Sequence, residues 1–97
     1  MNKYEMLYDD KIEIGSHTLY RIRALKNFGT VKAGDIGGYI EKEENLSHEG
    51  TCWVYDNARV CGDARVCGDA RVCGDARVCD NAYVCDNACV YGNARVC

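Results

Sequence analysis

The sequence lacks several features that would assign it to common functional classes. It has no apolar run near the roughly 20 residues that a membrane-spanning helix needs. Residues 1–11 include Glu5, Asp9 and Asp10 and lack the apolar core of a secretory signal peptide. There is no basic excess for polyanion binding, since the formal net charge is -3. These absences predict a cytoplasmic protein that contacts neither membrane nor nucleic acid.

The second half of the chain repeats every six residues. Strand alternation puts alanine and valine of each repeat on one face and arginine and cysteine on the other. The Gly-Asp, Asp-Asn and Gly-Asn pairs between repeats favour turns. Each repeat therefore predicts one short strand and one corner. The repeated valines are Val54, Val60, Val66, Val72, Val78, Val84, Val90 and Val96, and an alanine follows each of the first seven by four positions.

A strand-and-corner unit with only two inward residues cannot bury its apolar face alone, so the strands must coil. The pattern resembles the left-handed parallel β-helix of the hexapeptide-repeat superfamily, whose inward residues fill a triangular prism. The resemblance implies three repeats per turn, with each residue stacked about 4.8 Å from the residue 18 positions later. It predicts an all-β protein with about 2.5 to 3 coils.

The first half of the chain does not follow the six-residue repeat. Alternating stretches at residues 4–8, 11–14 and 18–25 predict short antiparallel strands joined by tight turns. Because a solenoid exposes open strand edges unless its first coil is covered, we interpret residues 1–45 as an N-terminal β cap. Residues 46–97 then form the β-solenoid, in one compact unit with the cap.

The front half also resembles uncharacterised bacterial and phage hexapeptide-repeat proteins, some of which carry an acyltransferase label by fold analogy. Residues 19–25, 37–41, 46–50 and 52–55 carry this resemblance. The enzymes of the superfamily typically work as trimers, with a catalytic histidine facing acyl-CoA between subunits. Here the repeats run without an inserted loop, and neither His17 nor His48 lies among them. No nucleophile, base and orienting group can be assembled, so we predict no catalytic residue and no cofactor.

Cysteine is abundant, with eight residues in 97. A cytoplasmic location predicts mostly reduced thiols. One outward column contains Cys61, Cys79 and Cys97, and another contains Cys67 and Cys85. Column disulfides are doubtful, because Cβ atoms about 4.8 Å apart exceed the usual range of about 3.5 to 4.5 Å. We predict no metal site, and these five cysteines are weak candidates, because a flat column does not converge tetrahedrally.

Two surfaces are candidate interfaces. The last coil has no capping element in the sequence, and it predicts end-to-end association through Val96 and Cys97, most simply as a two-fold dimer, with a trimer as an alternative. One lateral face combines aromatic residues and arginine, the composition of interface hot spots. Its residues are Trp53, Tyr55, Arg71, Cys73, Cys89 and Tyr91. The alternative for Trp53 and Tyr55 is burial under the cap.

Three functional hypotheses follow. The first is a non-enzymatic structural module that binds itself or another protein. The second is an acyltransferase-like enzyme or its remnant, and the third is a soft-metal or redox-active thiol surface. For the outward arginine column we expect a solvated face, paired with corner carboxylates, and the alternative is an anion site. The column is Arg59, Arg77 and Arg95, and the carboxylates are Asp56, Asp63, Asp75 and Asp80.

Overall fold

The computed structural model describes residues 2–96, which form an all-β chain with one short 3₁₀ helix, Glu43–Asn45. The first three strands are long and the other eight contain two residues each, as the six-residue repeat predicts. In chain order they are β1 (Tyr4–Ile14), β2 (His17–Ala24), β3 (Ile36–Ile40), β4 (Trp53–Val54), β5 (Arg59–Val60), β6 (Arg65–Val66), β7 (Arg71–Val72), β8 (Arg77–Val78), β9 (Tyr83–Val84), β10 (Cys89–Val90) and β11 (Arg95–Val96).

From β3 onward the chain coils as a parallel β-solenoid with three faces. The faces are the β3-β5-β8-β11 part of a six-stranded sheet, the β4-β7-β10 sheet and the β6-β9 sheet. Arg59 pairs with Arg77, 18 positions later, and Arg77 pairs with Arg95. The first turn includes β3, because Ile40 pairs with Val60 and Leu46 bridges to Val66. The predicted solenoid of about three turns is confirmed.

The corners place one residue at positive φ, as the turn-forming pairs predict. Gly68 has φ 67° and Asp86, one turn later, has φ 61°. The turns pack so closely here that a Cβ added to Gly68 would lie 2.8 Å from the backbone nitrogen of Asp86. Glycine is therefore required at this corner for its lack of a side chain, since Asp86 adopts nearly the same backbone conformation.

The core is a column of alanine and valine inside the solenoid. Ala58, Ala64, Ala70 and Ala76 are fully buried, and the inward valines before the last coil are at most 3% exposed. The alanines and valines belong to one buried hydrophobic cluster. The predicted alternation of inward and outward residues is confirmed.

The predicted antiparallel strands at the N-terminus are present. Strand β1 pairs antiparallel with β2, and β2 pairs antiparallel with β3, so the cap continues directly into one solenoid face. Lys3 is fully buried and donates from Nζ to the Cys52 carbonyl oxygen at 2.7 Å. Burial lowers the Lys3 pKa by disfavouring the charged ammonium group. These contacts join the start of the chain to the first turn.

Candidate functional site

Trp53 is buried and does not belong to an exposed lateral surface. Its side chain is 1% exposed, and its ring packs edge-on against Phe28 and Tyr4, with centroids 5.3 and 6.2 Å away. Register places Trp53 beside Arg71, an outward position, but the cap covers this part of the face. The prediction that Trp53 is an interface residue is wrong, and the alternative of burial under the cap is correct for this residue.

The rest of the lateral face remains accessible. Arg71, Cys89 and Tyr91 are exposed, and Tyr91 reaches 70% exposure. Tyr55 and Cys73 are half-buried. Burial raises the Cys73 pKa, so its thiol is protonated at neutral pH and is a poor nucleophile. The accessible candidates therefore offer one cation and one large aromatic ring, away from the cap.

A disulfide joins Cys67 and Cys85, with Cα atoms 4.6 Å apart. The expectation that column disulfides are doubtful is wrong here. That expectation assumed a flat ladder with parallel side chains, whereas Cys67 lies between the end of β6 and the following corner, where the chain changes direction. This pair is an exception to the expectation of mostly reduced thiols. Its bond ties one complete turn of the solenoid to the next.

The disulfide also changes the candidate metal ligands. The sulfur atoms of Cys67 and Cys85 bond each other, so neither can act as a thiolate ligand in this state. Cys61 and Cys79 do occupy equivalent outward positions on successive turns, since the Cys61 amide donates to the Val78 carbonyl oxygen at 2.9 Å. Cys97 lies outside the described residues. Within residues 2–96, no group of three or more His, Cys, Asp or Glu side chains could hold a metal ion.

The arginine column is present but lacks the expected ion pairs. Arg59, Arg77 and Arg95 are in register on successive turns. Among the salt bridges of residues 2–96, none joins these arginines to a corner carboxylate. Asp63 instead pairs with Lys42 Nζ at 2.7 Å, and Asp56 accepts the Gly74 amide at 3.2 Å. The expectation of a salt-paired column is wrong for the described residues, and two of the four corner carboxylates, Asp56 and Asp63, bind other partners.

His17 forms a polar contact that joins the cap to the solenoid. Its Nδ1 lies 3.0 Å from Glu41 Oε2, and Glu41 Oε1 accepts the Gly62 amide at 2.6 Å. Desolvation raises the Glu41 pKa, but the hydrogen bonds from His17 and Gly62 outweigh it and lower the pKa overall. Glu41 is therefore held as a carboxylate between two elements.

His48 is held by the first strand. Its Nδ1 accepts the Lys3 amide at 3.1 Å, which leaves the ring proton on Nε2. Its ring stacks on Tyr4 with centroids 4.2 Å apart. Desolvation lowers the His48 pKa, so the ring is neutral at neutral pH. These contacts fix His48 at the junction of cap and solenoid.

The last coil, strands β9 to β11, is open. Apart from Val84, its inward residues are less buried than the equivalent residues of the preceding turns: Ala82, Val90 and Val96 are half-buried, and Ala88 and Ala94 are exposed. Its strands are also the outer members of all three sheets. Of the two end-interface candidates, Val96 is therefore accessible at this coil, and Cys97 lies outside the described residues.

A groove of about 350 Å³ opens on the face formed by β6 and β9. The chain that follows β3 lines one side of the groove, with Glu43, Glu44 and His48, and the solenoid face lines the other, with Arg65 and Tyr83. The six-residue pattern did not predict this groove, because residues 43–48 precede the regular repeats. Their position became apparent only from the bridge between Leu46 and Val66.

Comparison with known proteins supports this architecture. The YdcK β-solenoid repeat model matches three overlapping segments, residues 54–68, 58–74 and 64–80. The chain is also 43% identical over 42 residues to the uncharacterized acetyltransferase YdcK of Escherichia coli (strain K12). That match covers 43% of this chain and 13% of the relative, so the chain spans a small part of its length. These matches and the fold confirm the resemblance to hexapeptide-repeat β-solenoid proteins.

The chain is thus a β-solenoid module with an N-terminal antiparallel cap. No helix within residues 2–96 is long and apolar enough to cross a membrane.

Proposed function

We propose that this chain is a non-enzymatic structural module that associates end to end with a second copy of itself through its last coil. One observation carries the proposal: the two ends of the described solenoid are covered very differently. The cap packs over the first turn, where Leu46 is fully buried and Trp53 is 1% exposed. At the last coil, the equivalent inward positions reach solvent.

The outer strands of the six-stranded sheet differ in the same way. At one edge, the β1–β2 register is interrupted between Leu7 and Lys11, and the interruption contains the exposed Asp9 and Asp10. Bulges and charges of this kind prevent an edge strand from pairing with another chain. At the other edge, β11 is two residues long and regular, with Val96 facing inward. This contrast favours β11 and its neighbours as the site of association.

A two-fold arrangement satisfies both copies at once. If the copies meet at their last coils about a perpendicular axis, each open strand gains a partner strand, and Val90 and Val96 become buried. Closed symmetry leaves no open coil for further growth. The exposed Arg71, Cys89 and Tyr91 supply a second surface, which we propose contacts another protein.

We further propose that the protein works in the cytoplasm. The fully buried Cys52 and half-buried Cys73 fit an environment where thiols stay reduced. There, cellular thiols would reach the Cys67–Cys85 bond and set its redox state.

A charge placed in the last coil tests the self-association. Ala94→Lys puts an ammonium group at an exposed, inward-facing position of that coil, where a packed partner would desolvate it. Thr30→Lys adds the same charge at an exposed turn of the cap and serves as the control. We expect wild type and T30K to dimerise and A94K to have a Kd at least roughly tenfold higher, a difference of about 1.4 kcal/mol. Light scattering coupled to size-exclusion chromatography over a concentration series measures this, with and without reductant.

A wild-type chain that stays monomeric at every concentration would overturn the proposal. So would an A94K chain that dimerises as tightly as T30K. A trimer would favour the acyltransferase-like alternative instead, because the superfamily enzymes assemble in that form. Loss of the dimer in reductant would show that intermolecular disulfides, rather than packed strands, hold the two copies together.

A further inference from the structure

The groove on the β6–β9 face has the size and lining of a small-ligand site. Its floor includes the apolar side chains of Leu46 and Val66, which are at most 1% exposed. Its volume of about 350 Å³ lies within the roughly 300 to 1,000 Å³ of ligand pockets. None of the residues proposed for self-association, Val90, Ala94 or Val96, lines the groove, so it carries an inference beyond that proposal.

Charged groups of both signs line the groove. Glu43 and Glu44 are exposed on the segment that follows β3. Arg65 is exposed on β6, and its guanidinium lies 6.0 Å from the centroid of the Tyr83 ring. None of the described salt bridges of residues 2–96 includes Arg65. The groove therefore presents two carboxylates and one guanidinium to a ligand.

One cysteine of a disulfide bond also lines the groove. Cys67 lines it and is bonded to Cys85, and both residues are partly exposed. Arg65 and Cys67 both line the groove, so the guanidinium favours an anionic nucleophile there. Thiolates attack disulfide sulfurs directly, which makes Cys67 the accessible target from this side.

We propose that the groove binds a small thiol that carries both an ammonium group and carboxylates, and that this thiol exchanges with the Cys67–Cys85 disulfide. The ligand's ammonium group binds Glu43 and Glu44, and a carboxylate binds Arg65. Its thiolate attacks Cys67 Sγ, a new S–S bond forms there, and the Cys67–Cys85 bond breaks. Cys85 leaves as a thiolate and takes up the proton that the ligand thiol lost. The products are a mixed disulfide on Cys67 and a free Cys85 thiol, with no other oxidant or reductant.

The test uses the full chain with reduced glutathione as the probe and β-mercaptoethanol as an uncharged reference thiol. Rates are measured at equal thiolate concentration by intact-protein mass spectrometry, and peptide mapping locates the adduct. We expect glutathione on Cys67. Arg65→Gln should lower the ratio of the glutathione rate to the β-mercaptoethanol rate about fivefold, the effect of losing an exposed pair worth roughly 1 kcal/mol. The double variant E43Q/E44Q should lower the same ratio.

Arg77→Gln is the matched control, because Arg77 occupies the same outward strand position on another face and does not line the groove. Its rate ratio should equal that of wild type. An equal fall in R65Q and R77Q, an unchanged ratio in both groove variants, or an adduct on Cys85 would each overturn the proposal. So would the absence of any glutathione adduct. Thermal unfolding of every variant confirms that the fold is intact, and comparison with β-mercaptoethanol removes any change in the disulfide's general reactivity.

Discussion

At the residue scale, comparing two corner glycines separates the cost of backbone strain from the cost of a steric clash. Gly68 and Gly92 have nearly the same φ, 67° and 66°, so an L side chain strains both positions equally. Only Gly68 faces another turn: a Cβ there would meet the Asp86 nitrogen at 2.8 Å, whereas a Cβ on Gly92 would meet no atom within 4 Å. The energetic cost of placing a side chain between two turns can therefore be measured by comparing alanine substitutions at the two positions.

We expect Gly68→Ala to destabilise the fold more than Gly92→Ala. Both substitutions cost about 1 kcal/mol in backbone strain. Gly68→Ala adds roughly 1 to 3 kcal/mol, because rigid backbone atoms must move to admit the methyl group. Urea unfolding of the two variants and wild type gives the difference. Equal losses at both corners would show that the turns can separate at little cost.

Glu41 gives stability a pH dependence. Its pKa is lowered in the folded state, so its carboxylate favours folding fully above the unfolded value of about 4.3. This contribution is lost as the pH falls through the lower, folded value. We expect wild type to exceed Glu41→Gln in unfolding free energy by about 1 kcal/mol at pH 6 and by much less at pH 3.

The control for this prediction is Glu49→Gln. Glu49 is exposed and belongs to none of the ion pairs found within residues 2–96. Its effect on unfolding free energy should be small and nearly constant with pH. If the effect of E41Q also stays constant from pH 6 to pH 3, the contacts with His17 and Gly62 do not depend on the charge of Glu41.

At the element scale, the Cys67–Cys85 bond fastens β6 to β9 across one turn. The linked residues are 18 positions apart. Closing a loop of this length in the unfolded chain removes conformational freedom worth about 3 kcal/mol. The β6–β9 sheet has only two strands, so this bond reinforces the face with the shortest hydrogen-bonded ladder.

Replacing both cysteines should therefore lower the stability of the oxidised protein. We expect C67S/C85S to unfold at lower temperature than wild type, by the equivalent of about 3 kcal/mol. Reductant should lower the melting temperature of wild type more than that of the variant. Cys89→Ser, an exposed position on another face, is the control and should melt like wild type. Identical sensitivity of wild type and C67S/C85S to reductant would contradict a stabilising role.

The side chains at the corners also favour 18 residues per turn. Asp63, Asp69 and Asp75 each stack on an asparagine 18 positions later. The backbone hydrogen bonds that their amides donate to the following turn set this register. Like charges therefore do not stack in these columns. A spacing of 12 would place Asp63 beside Asp75, so the charge pattern disfavours two repeats per turn.

At the scale of the whole molecule, the repeat and the antiparallel N-terminal strands could be predicted, but which outward residues those strands bury could not be decided. Inward valine and alanine positions follow from alternation within six residues, a local property. Trp53 also occupies the outward position that alternation assigns, yet it is buried because Tyr4 and Phe28 lie over it. Contacts between residues 25 to 49 positions apart have no periodic signature. The groove escaped prediction for the same reason, since residues 43–48 reach β6 through an irregular first turn.

Because every turn of the solenoid has the same number of residues, its length can change in fixed steps. One turn contains 18 residues and advances the axis by about 4.8 Å, one strand spacing. Inserting a copy of the turn that contains Asn81, Asn87 and Asn93 would leave the three faces in their original directions, although Asp80 and Asp86 would each stack on a copy of themselves. Inserting 6 or 12 residues would move every later residue to a different face. The gene for such a solenoid can therefore lengthen it in units of 54 nucleotides, three per residue.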